Sequence, residues 1–87
     1  MKVAVWDTYV TRKDGQVMHF DILVPVDVRN EETIFTFGKN YLQSKNEEGQ
    51  ALSANESQFC HVEQASDEMV ASIQQKGYYI IEMQNCK

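Results

Sequence analysis

The dipeptide Asp14-Gly15 separates two runs, residues 2 to 10 (KVAVWDTYV) and 17 to 24 (VMHFDILV), and it narrows the accessible folds more than any other feature. Both runs are rich in β-branched and aromatic residues, and Asp-Gly between such runs is the strongest short-range signal for a β-hairpin. Two turns fit, and they differ in kind, because a one-residue slip sends every side chain to the opposite face. A two-residue turn at Asp14-Gly15 pairs Val10 with His19 and Asp7 with Ile22, setting a carboxylate among Phe20, Ile22 and Val24. Burying that charge without a partner is costly. A three-residue loop, Lys13-Asp14-Gly15, with Gly15 left-handed, pairs Tyr9 with His19 and Asp7 with Asp21 instead. It gathers Trp6, Thr8, Val10, Met18, Phe20 and Ile22 on one face and Asp7, Tyr9, His19 and Asp21 on the other. This sorting favours the second register, although it makes two acids face each other.

Beyond Pro25 the pattern changes period. Asn30 is a good N-cap, Glu31 and Glu32 suit the positive end of a helix dipole, and Ile34, Phe37, Gly38, Tyr41, Leu42 and Lys45 recur at helical spacing. Phe35 widens this stripe, and Asn46-Glu47-Glu48-Gly49 ends the helix. Residues 50 to 57 read as loop or short strand, and Gln58 to Glu63 alternates as a third strand. Ser66 or Asp67 caps a second helix with a narrow stripe of Met69, Val70 and Ile73, closed by Gly77, and Tyr78 to Met83 forms a final strand. The order is ββαβαβ, an α+β domain with one four-stranded sheet. Neither helix has two apolar faces, so both are expected on one side of that sheet.

The chain has 87 residues, 43% hydrophobic and 24% charged, which predicts a single domain over residues 1–87 rather than disorder. Its Val and Ile content, well above Leu, agrees with a sheet-centred fold. Thirteen acids against eight bases give a net charge of -5, so there is no basic footprint for nucleic acid or an anionic membrane. No apolar run reaches the length of a signal peptide or a membrane span, which makes the cytoplasm the expected location. Two cysteines are too few for a disulfide scaffold and are expected as free thiols. Cys60 reads as a small core residue, Cys86 as part of a frayed, accessible tail.

Trp6-Asp7-Thr8-Tyr9-Val10, Asp14-Gly15 followed by Val17-Met18-His19-Phe20-Asp21, Phe59-Cys60-His61, Gly77-Tyr78-Tyr79-Ile80 and a cysteine one residue from the end form a familiar set. Together they resemble the DUF2024 family, a small bacterial family of unknown function. The resemblance spans nearly the whole chain and is thinnest from Asn30 to Asn55. It implies one small α+β fold in a bacterial, cytoplasmic setting, and carries over no reaction, cofactor or catalytic residue.

Chemistry must therefore be sought in the residues themselves. There is no G-x-S-x-G, G-x-G-x-x-G, phosphate loop or H-E-x-x-H. The sharpest pattern is a pair of tripeptides, His19-Phe20-Asp21 and His61-Val62-Glu63, each projecting an imidazole and a carboxylate from one face of a strand. If the two strands are neighbours, His19, Asp21, His61 and Glu63 converge with Asp7 and Tyr9 nearby, a donor set for Zn²⁺, Mn²⁺ or Fe²⁺. The plainer alternative is a polar, solvated sheet face in which His19 holds the facing acids Asp7 and Asp21. Cys60 and His61 point to opposite faces of a regular strand and can act together only in a bulge or loop. Tyr9, Phe59, Tyr78 and Phe35 suit core or subunit packing better than base stacking in so acidic a chain. A homodimer through the uncovered sheet face or the first helix would hide apolar area that a small domain cannot cover itself. The expected function is a non-enzymatic binding or accessory module without a cofactor; the alternative is a small divalent-metal enzyme using the His/carboxylate set.

Overall fold

A computed structural model describes all residues, 1–87. The hairpin forms as the three-residue loop requires. β1 (Lys2–Thr11) and β2 (Val17–Pro25) pair antiparallel with Asp7 opposite Asp21 and Tyr9 opposite His19. Gly15 sits at φ +90°, where an L side chain would be strained, and the Arg12 and Gln16 backbones close the loop. Helix α1 (Glu31–Ser44) starts at Asn30, whose side chain accepts from the Glu32 amide. Strand β3 (Ser57–Gln64) follows a loop, then helix α2 (Asp67–Lys76), capped by the Ser66 side chain and ended by Gly77 at φ +95°, and finally β4 (Tyr79–Gln84).

The four strands make one antiparallel sheet in the order β3-β1-β2-β4. The hairpin is thus the centre of the sheet, and β3 and β4 are its two edges. On one face Ala4, Val10, Met18, Phe20, Ile22 and Val24 pack against Ile34, Tyr41 and Leu42 of α1 in a cluster of 12 buried residues. Gly38 lets Leu52 and Ile22 approach the helix there: a Cβ at Gly38 would lie 2.5 Å from Leu52 Cδ1. Beneath the same face the Thr8 and Ser57 hydroxyls share a buried hydrogen bond of 2.9 Å, which satisfies both where β1 meets β3.

The second face carries a smaller cluster, and here an expectation is corrected. Val3, Val5 and Leu23 pack against Ile73 of α2, so the helices cover opposite faces rather than one. The reason lies in the hairpin. The register that puts Asp7 and Asp21 together also brings Val5 beside Leu23 on that same face, and this apolar end needs a cover, which the narrow stripe of α2 supplies. The polar end, at Asp7, Tyr9, His19 and Asp21, extends past the cluster. The cysteine expectations are also reversed. Cys60 is exposed and Cys86 is buried, 7% accessible, with its thiol donating to the carbonyls of His19 and Gln84. Arg12 secures the tail around it by donating to the carbonyls of Asn85 and Lys87.

Candidate functional site

The polar end of the second face is built from alternate residues of the two central strands. Pairing sets Asp7 directly across from Asp21 and Tyr9 across from His19, and the strand twist lets the diagonal pair, Asp7 and His19, meet. His19 Nε2 lies 2.5 Å from Asp7 Oδ1. An ionised carboxylate only accepts, so this nitrogen carries the hydrogen. The Tyr9 ring stacks on the imidazole at 4.2 Å between centroids and 10° between planes, fixing its orientation from the solvent side. Ligand atoms of Asp7, His19 and Asp21 all lie within 4.8 Å of one another, and each of the three residues is partly buried.

Electrostatics set Asp21 apart. Burial pushes its carboxyl above the usual range, and a hydrogen bond and the negative charge of Asp7 push it further; His19 and His61 pull the other way. Two carboxyl groups can share a hydrogen bond only by holding a proton between them. The ion pairs formed by Lys and Arg lie elsewhere, with Asp14, Glu47, Glu48 and Glu82, so His19 is the base that pairs with this cluster.

Of the expected ligand set, His19 and Asp21 come together and Asp7 joins them, with Tyr9 against the ring. His61 and Glu63 do not enter the cluster. The convergence of the two tripeptides required β2 and β3 to be neighbours, and β1 lies between them. His61 pairs with Val5, and its Nε2 turns to Glu63 Oε1 at 3.2 Å, forming a separate pair at the sheet edge. Strand order is set by contacts between residues far apart in sequence, which alternation within a strand does not encode. Asp7, expected only near the ligands, is one of the three residues that converge. Its place in the cluster follows from the hairpin register alone, which sets it opposite Asp21.

At the Cys60-His61 step the strand departs from regularity. Val5 pairs with His61 and Trp6 with Phe59, so Cys60 has no partner and forms a β-bulge. This is the circumstance in which the two neighbours can share a side, and Cys60 Sγ lies 3.2 Å from His61 Nδ1.

No helix is long and apolar enough to cross a membrane. No curated protein matches the chain. The chain is similar in structure to protein NE1680 from Nitrosomonas europaea, solved by NMR, with 45% identity, a TM-score of 0.86 and coverage of 100% of both chains. Residues 1–83 match the family described as Domain of unknown function (DUF2024). Fold, strings and length agree on one conclusion: the chain belongs to the DUF2024 family.

Proposed function

We propose that the chain is a small, non-enzymatic binding module whose ligand is a divalent transition-metal ion held by Asp7, His19 and Asp21. The observation that carries this reading is the convergence of two carboxylates and one imidazole within 4.8 Å, with the two acids in direct opposition. Tetrahedral bonds near 2 Å hold ligand atoms about 3.3 Å apart, so capture of an ion draws atoms that already lie within 4.8 Å of one another closer by at most about 1.5 Å, a range that side-chain rotation covers. A mixed nitrogen and oxygen donor set suits Zn²⁺, Mn²⁺ or Fe²⁺ better than Ca²⁺. The ion competes with the proton that the raised Asp21 carboxyl takes up as pH falls and with the hydrogen that His19 donates to Asp7. Binding therefore releases protons and strengthens as pH rises. Three protein ligands on an open face leave positions for water or a ligand from a partner, the arrangement an accessory module needs.

The test is the metal content of protein purified without an affinity tag, followed by thermal melts with added Zn²⁺ or Mn²⁺. An ion at a hundredfold excess over its Kd stabilises by about 2.7 kcal/mol. The rise in Tm should disappear in His19→Ala and Asp21→Asn and persist in His61→Ala. An absence of any shift, or equal losses in His19→Ala and His61→Ala, would rule the site out.

A further inference from the structure

At the free edge of the sheet, three neighbouring side chains form a relay separate from the Asp7 cluster. Cys60 Sγ lies 3.2 Å from His61 Nδ1, and His61 Nε2 lies 3.2 Å from Glu63 Oε1. The carboxylate of Glu63 can only accept, so Nε2 bears the ring hydrogen and Nδ1 turns its lone pair toward the thiol. The imidazole is thereby set, in tautomer and direction, to take the Cys60 proton. The bulge makes the contact possible, since in a regular strand the two side chains would face apart. Cys86 supplies the contrast within the same chain: it is buried and its thiol is committed to two carbonyls.

We propose that Cys60 is a reversible thiolation site, a nucleophile for small disulfides that carry no negative charge, with His61 as its base and Glu63 as a positioning residue. In the reaction Cys60 Sγ attacks one sulfur of the disulfide as its proton passes to His61 Nδ1. The S–S bond of the small molecule breaks, and its second sulfur leaves with the bonding electron pair and takes that proton from Nδ1. The products are a mixed disulfide on Cys60 and one free thiol, and attack by a second thiol reverses the step. Exchange places developing charge on sulfur rather than on a carbonyl oxygen, so it needs no oxyanion pocket. It does need an open line of approach to Sγ, which the exposed edge strand provides. The net charge of -5 and the adjacent Glu63 disfavour anionic disulfides.

The measurement is the rate of reaction with dipyridyl disulfide, an uncharged probe that releases a chromophoric thione, with the modified cysteine located by peptide mass spectrometry. In the folded protein Cys60 should react first and alone. It should react about tenfold faster than in the chain unfolded by denaturant, a modest part of the gain general bases give in enclosed sites. His61→Ala should lose that gain, and added imidazole should restore part of it; Glu63→Asp should keep more of it than Glu63→Gln. Cys60→Ser should abolish the fast phase. The folded-to-unfolded comparison uses the unaltered chain and so stands even if a variant fails to fold. A folded rate no higher than the unfolded one, or a rate unchanged in a folded His61→Ala, overturns the proposal.

Discussion

Replacing Asp21 by Asn should make the protein more stable at neutral pH. Asn has the shape of Asp, and its amide can donate to Asp7 as a protonated Asp21 would, so packing is kept while a like charge is removed. The magnitude follows from the geometry. Unit charges no more than 4.8 Å apart repel by at least about 0.9 kcal/mol in bulk water and at least about 3.5 kcal/mol at an effective dielectric of about 20. The site is only partly buried and His19 offsets part of the repulsion, which places the gain near the lower value, about 1 kcal/mol. For a domain of 60 to 100 residues that is a rise in Tm of about 4–8 °C. The pH dependence has a definite sign. The folded-state value of Asp21 lies above its ordinary 3.8, so between the two the native state holds more protons than the unfolded chain. The wild type then loses stability as pH rises through that window. The advantage of the Asp21→Asn variant should thus be absent near pH ~3 and full near pH ~7. Circular-dichroism melts in chelator-containing buffer at both pH values check this. A variant that melts below wild type at neutral pH, or a difference that does not change with pH, would refute the reasoning. Adding Zn²⁺ should reverse the order, because only the wild type retains all three ligands.

Gly38→Ala should destabilise. The new Cβ would meet Leu52 Cδ1 at 2.5 Å and Ile22 Cδ1 at 3.0 Å, both on buried residues; overpacking of about 2 kcal/mol exceeds the gain of about 1 kcal/mol in helix propensity. Denaturant melts should show the loss, and in a Leu52→Ala background it should shrink. Glu82 accepts from Lys45 Nζ at 2.8 Å and from the Tyr41 hydroxyl at 2.5 Å, and these bonds, that of Lys45 first, hold its carboxyl below the usual range. Stability from this group is present above the unfolded-state value of 4.5 and lost as pH falls through the lower folded-state value. Lys45→Met should therefore flatten the acid limb of a plot of stability against pH.

What could be read from the sequence was what neighbouring residues decide. The Lys13-Asp14-Gly15 loop fixes the hairpin register, and with it the meeting of Asp7, Tyr9, His19 and Asp21. Asn30 and Gly77 mark helix ends through their own side-chain or backbone chemistry. What could not be read depends on partners far along the chain. That β3 adds beside β1, separating His61 from His19, is decided by pairs such as Thr8 with Ser57, 49 residues apart. The bulge that exposes Cys60 arises from that same pairing. Cys86 is buried because Arg12, 73 and 75 residues from the carbonyls it binds, holds the tail against the sheet. The placement of α2 is a different case. A helix stripe says that one side is buried but not against which face, and the sign lay in the hairpin, whose register leaves Val5 and Leu23 apolar on the second face.

The central hairpin also bears on how such a chain can change over generations. Along β1, Ala4 and Val10 belong to the large cluster, Trp6 packs against it, and Thr8 bonds to Ser57, while Asp7 and Tyr9 touch only the polar end of the other face. Pressure to fold and pressure to bind therefore fall on alternate residues of a single strand. Substitutions at Asp7 and Tyr9 can change the polar end while the even positions, with Val3 and Val5 at the other end of the strand, hold the scaffold still. A lineage built on this sheet can explore ligands one residue at a time without first rebuilding its interior.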